Sequence, residues 1–183
     1  MRFRVWGIRF EVSFYFFALL AAFFILEPDN ITACGAIAAI LHECGHLAAM
    51  LLVPGGHVER VSIGACGVRM TARLRGQFEG WIPVCIAGAA VNLFLAALFM
   101  PIAMVTKSHF LSVFASANIC LGAVNLLPVE PLDGGQLLRA VMLRCVRPET
   151  ADNLCFALSV ITLIPVICAG LWLLGGVLEE YIR

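Results

Sequence analysis

His42, Glu43 and His46 fall within a single pentapeptide, His-Glu-Cys-Gly-His. Residues four apart share one face of a helix, so the two imidazoles can point at one cation. Glu43 sits beside that face as a carboxylate that need not be a ligand. The chemistry such a set supports is hydrolysis assisted by one zinc ion. The metal acidifies a water, and the carboxylate takes its proton and passes it to a leaving amine. Two histidines are one short of the three protein ligands usual in catalytic zinc sites.

The setting makes the pentapeptide unusual. Residues 33–53 hold no charged side chain other than Glu43. Twenty-one helical residues span roughly 31 Å, the hydrocarbon thickness of a bilayer. An acidic residue near the middle of such a helix costs about 2.5–3.5 kcal/mol on insertion scales. Ligation of a metal offsets a cost of that kind.

Composition agrees. The 183 residues are 62% hydrophobic and 13% charged, with mean hydropathy +0.98, against about 45–50% and 25% in soluble domains. A single integral membrane domain over residues 1–183 is expected, with no soluble regulatory domain. Net charge is zero, so no nucleic-acid partner is implied; the lipid bilayer is the partner composition does imply. The eight cysteines form no Cys-x-x-Cys pair and read as small buried hydrophobes.

Along the chain, three arginines precede an apolar run near residues 10–26. No polar region follows it, so it reads as a membrane helix and not as a signal peptide. Pro54-Gly55-Gly56 ends the histidine-bearing helix. Residues 57–76 alternate polar and apolar with β-branched side chains, which predicts a short membrane-associated β-hairpin turning near Gly64 to Gly67. Apolar runs at 81–105 and 110–127 follow. The segment 125–136, Asn-Leu-Leu-Pro-Val-Glu-Pro-Leu-Asp-Gly-Gly-Gln, cannot stay a regular helix. A short basic helix over 137–147 and a last apolar run over 156–178 complete the chain. The expected architecture is an all-α polytopic membrane protein with five to six transmembrane helices, the hairpin after the second, and a broken helix carrying the Asp-Gly motif.

With a cytoplasmic N-terminus, ten of the twelve Lys and Arg residues fall inside, leaving Lys107 and Arg183 outside. That bias orients a multi-pass protein in the cell membrane. It brings His46 near the cytoplasmic end of its helix and delivers the Asp-Gly-Gly segment to the same side. The active-site opening is therefore expected to be cytoplasmic.

For the third ligand, His57 lies just past the helix end at the surface, and His109 falls on the far side. Glu130 and Asp133 remain. The glycines after Asp133 allow a close backbone approach, which favours Asp133, with Glu130 as the alternative oxygen ligand. Asn92 and Asn125 are amides in apolar runs. Each can donate to a developing oxyanion or make a helix–helix hydrogen bond.

These motifs resemble the site-2 protease family of intramembrane zinc metalloproteases. His42–His46 matches its HExxH signature, and Asn125–Gly134 its NxxPxxPxDG segment; Gly88–Asn92 lies between them. The resemblance covers roughly residues 10–147 and is nearest to the branch of the stage IV sporulation protease. It implies one zinc ion held by His42, His46 and Asp133, Glu43 as the catalytic acid/base, and Asn92 and Asn125 as substrate-contacting or site-supporting residues. It also implies a membrane-bound or membrane-associated protein substrate, of which a sporulation sigma factor is one, and leaves room for a regulatory membrane protein or a homo-oligomer. Two other readings of the same cluster are a membrane metal transporter and a non-catalytic scaffold that captures membrane segments. A transporter would need further polar residues along a path, and the outer helix halves offer little beyond Ser112, Ser116 and Asn118.

Overall fold

The computed structural model describes residues 2–5, 7–26, 30–64, 67–74 and 81–182. The acidic stretch at 27–29, the residues 65–66 where the hairpin is expected to turn, and Arg75 and Arg183 lie outside the described residues. The chain forms two compact units, residues 1–125 and 126–183.

The first unit opens with β1 (Arg2–Val5) and β2 (Ile8–Val12), then α1 (Phe14–Leu26) and α2 (Ile31–Leu52). β3 (Gly56–Gly64), β4 (Gly67–Leu74), α3 (Trp81–Thr106) and α4 (His109–Asn125) follow. The hairpin expected at 57–76 is β3 and β4, antiparallel, with Gly64 opposite Gly67. It is half of a four-stranded sheet ordered β1-β2-β3-β4. β2 runs parallel to β3, with Phe10 opposite Val61, so the connection between them passes through both α1 and α2.

Alternation decides the sheet's faces, and an irregularity between Val58 and Arg60 shifts it by one residue, so that Val58 and Val61 share a face. Val58 and Val61 are buried with Met50 and Val84, and Ile8, Phe10, Ile63, Leu47, Val53 and Trp81 pack around them. The sheet thus lies on the end of α2 and the start of α3. The Phe3 and Phe10 rings stack across the β1–β2 pair at 5.3 Å.

α2, α3 and α4 pack against one another. Their meeting surfaces are built from small residues, with Cys34, Ala38, Ala89, Ala96 and Ala115 all buried, which lets backbones come close where lipid gives no hydrophobic drive. Pro54 and Gly55, the latter at φ +77°, stop α2 and turn the chain into β3.

The second unit holds the turns at 126–132, α5 (Asp133–Met142) and α6 (Pro148–Ile182). α6 begins eight residues earlier than the apolar run suggests, because Pro148 suits a first helical position.

Among the described residues, three helices are long and apolar enough to cross a membrane: α2, α3 and the Pro148–Trp172 part of α6. α1 and α4, with 13 and 17 residues, reach about 20 and 25 Å. α1 is shorter than its apolar run because residues 8–12 pair as β2.

Candidate active site

His42 and His46 lie one turn apart on α2, with His42 only 5% exposed. Their rings meet edge to face, centroids 4.7 Å apart, and their Nε2 atoms are 3.1 Å apart. His46 Nδ1 lies 2.7 Å from the Val84 carbonyl oxygen. His42 Nδ1 lies 2.6 Å from Asn92 Oδ1. Both oxygens only accept, so both Nδ1 atoms carry the hydrogen. Each Nε2 then presents a lone pair to the other. Two lone pairs at that distance repel unless a cation lies against both. The imidazole pair is therefore able to serve as two metal ligands, each held in tautomer by its outer hydrogen bond.

Gly88 makes room for the pair. A Cβ there would stand 2.7 Å from His42 Nε2 and from His42 Cε1, and closer still to His46 Nε2. The bare backbone of α3 forms one wall of the space into which both nitrogens point.

Asn92 is fully buried. Its Nδ2 donates to Ala38 O at 3.3 Å and to Asn118 Oδ1 at 2.8 Å. With Oδ1 on His42, the whole amide is committed to holding α2, α3 and α4 in register. Asn118 extends that network, although in sequence it is only one more polar residue in the fourth apolar run. Its signal is the same as that of Asn92, an amide in an apolar helix. Asn125 is half-buried, and its Nδ2 donates to Leu121 O of its own helix at 3.0 Å. Glu43, next along α2 from His42, is half-buried.

In the second unit Asp133 opens α5 and is half-buried. The turns before it are held by Ser159 of α6, whose Oγ accepts the Glu130 N–H at 3.1 Å and donates to Cys155 O at 2.8 Å. Gly134 and Gly135 let the start of α5 fold onto those turns. A Cβ on Gly134 would collide with the carbonyl oxygens of Leu126 and Leu127, and one on Gly135 would come within 2.6 Å of Val129 C and O. Ser159 carries no sequence signal of its own, whereas the glycine pair is the one expected to allow a close backbone approach.

His42 and His46 of the first unit and Asp133 of the second are residues of types that ligate metal ions. The side chain of Glu130 is exposed, as are those of His57 and His109.

The model of Peptidase family M50 matches residues 100–166. The chain is 26% identical to a zinc metalloprotease of Methanocaldococcus jannaschii over 153 residues, 76% of this chain and 44% of that protein. It is 31% identical to stage IV sporulation protein FB of Bacillus subtilis over 109 residues, 57% of this chain and 38% of that protein. The chain thus spans less than half the length of these curated relatives. Its fold matches a solved site-2 protease from Methanocaldococcus jannaschii with TM-score 0.63 at 20% identity, over 85% of this chain and 77% of that one. In its His42–His46 and Asn125–Gly134 motifs and in these likenesses, this chain is similar to site-2 proteases and to Peptidase family M50, and it shares the fold of the solved one.

Proposed function

We propose that this chain is an intramembrane zinc endopeptidase, hydrolysing a peptide bond in or near a transmembrane segment of a protein substrate. The observation that carries the reading is the imidazole pair: two Nε2 atoms 3.1 Å apart, each Nδ1 fixed on an acceptor. In this reading His42, His46 and Asp133 hold one zinc ion. When bound, the ion supplies Lewis acidity, which lowers the pKa of water toward about 7 and polarises a carbonyl.

The remaining steps belong to the chain's own residues. Glu43 takes the proton of the attacking water and hands it to the departing amine. Asn92 holds His42, since its amide is already committed to three partners. Asn125 spends one amide hydrogen on Leu121 O and offers the other to a substrate carbonyl. The scissile bond must first leave its helix, because a helical peptide group is shielded by its own hydrogen bonds. The outer strands of the sheet, β1 and β4, offer edges along which an extended segment can pair. The likeness to a stage IV sporulation protein makes a membrane-associated sporulation sigma factor the first substrate to try.

The test is Glu43→Gln in the full chain, reconstituted with a membrane substrate. One zinc per chain should remain, while cleavage falls by about 10²-fold or more. Wild-type turnover in that variant would overturn the role of Glu43. A wild-type chain that binds no zinc would overturn the reading as a whole.

A further inference from the structure

We infer that Asn118 and Asn92 are positioning residues that set the tautomer and ring orientation of His42, so that the seating of α4 is felt at the metal. The inference rests on the metal-site reading above. The carbonyl of Phe114 can only accept, and it takes a hydrogen bond from Asn118 Nδ2 at 2.8 Å. That fixes which end of the Asn118 amide faces inward: Oδ1 turns to Asn92. Asn92 must answer with Nδ2, at 2.8 Å. Its Oδ1 is left for His42 Nδ1, at 2.6 Å. The proton on His42 is thereby assigned to Nδ1, and the lone pair to Nε2.

The polarity of the row originates on α4, two side chains away from the ligand. Ala38 O, which accepts from Asn92 Nδ2 at 3.3 Å, gives the middle amide a second anchor of the same sense. Asn92 and Asn118 are fully buried and His42 nearly so, so no solvent competes for these bonds, and a wrongly turned amide would face acceptor against acceptor. Helix packing alone would be served by any apolar pair of the same volume. A one-way row ending on a ligand nitrogen is what fixing that ligand's tautomer from behind requires.

The experiment compares the full-length wild type with Asn118→Leu and Asn118→Asp in lipid nanodiscs. Zinc affinity is read by chelator competition, and the ligand field by the visible spectrum of the cobalt-loaded chain. Asn118→Leu removes the acceptor for Asn92 and should weaken zinc binding about 10- to 100-fold, with a shifted cobalt spectrum. Asn118→Asp, kept protonated by burial, retains both bonds and should match the wild type in both readouts. A folded Asn118→Leu chain with wild-type affinity and an unshifted cobalt spectrum would overturn the inference. Should Asn118→Leu fail to fold, Asn118→Ala carries the same expectation and the same refutation. A wild type that takes up one zinc while Asn118→Leu is unaffected sinks only this inference; a wild type without zinc sinks the reading beneath it.

Discussion

At the scale of single residues, the site depends as much on an absent side chain as on the ligands. Gly88 faces both histidines, and any Cβ there would meet the nitrogen atoms that the proposed metal site offers to a cation. Gly88→Ala should therefore lower zinc affinity by about tenfold or more while α3, an apolar 26-residue helix, still forms. Chelator competition alongside circular dichroism checks this; unchanged affinity would mean the rings move aside freely. The proposed ligand pair is legible in the sequence, because two imidazoles at i, i+4 in a helix whose one other charged group is Glu43 have little to offset their cost except a shared ion. The outer partners are not legible. Nothing in sequence distinguishes Asn92, which bonds His42, from Asn125, which bonds back to its own helix. That difference depends on which amide lies opposite His42 once α2 and α3 pack, and periodicity does not carry it.

At the scale of elements, the turns at 126–132 are the part most exposed to a small change. Ser159 is their described side-chain tie to α6, accepting the Glu130 N–H and donating within its own helix. Ser159→Ala leaves that N–H without its acceptor, which costs about 1–3 kcal/mol. Lower thermal stability together with weaker zinc retention is expected, since the same turns lead directly into Asp133; a loss of stability with zinc affinity intact would confine Ser159 to holding the turns. Gly134→Ala should be worse, because its Cβ would collide with backbone carbonyls that cannot swing away. The break itself is readable from two prolines and two glycines. So is the hairpin, from alternation and its glycine-flanked turn. β1 and β2 escape a sequence reading for a physical reason. Each is only four or five residues long, and β2 pairs in parallel with a strand more than forty residues further on. Its apolar residues therefore merge with those of α1 into one run.

At the scale of the whole molecule, orientation decides from which side substrate and water reach the histidines. Arg4, Arg9 and Arg60 stand opposite one another across β1, β2 and β3, and Glu11 lies 3.8 Å from Arg60. Like charges side by side on a sheet are unfavourable, and a rank of this kind belongs in water. α2 ends at Leu52, six residues past His46, or about 9 Å, and leads straight into that sheet. α3 leaves it and runs 26 residues, about 39 Å, to the turn at Lys107, where φ is +52°. In the proposed topology the sheet and the Lys107 turn lie on opposite sides of the membrane, with the sheet on the cytoplasmic side by the positive-inside bias. An epitope tag inserted at the Lys107–Ser108 turn should be labelled by antibody on intact spheroplasts. The same tag at Pro54–Gly55 should be labelled only after permeabilisation. The reverse pattern would invert the topology and place the histidines near the outer face. Glu43 would then draw its water from outside the cell, and a cytoplasmic substrate such as a sigma factor would be out of reach.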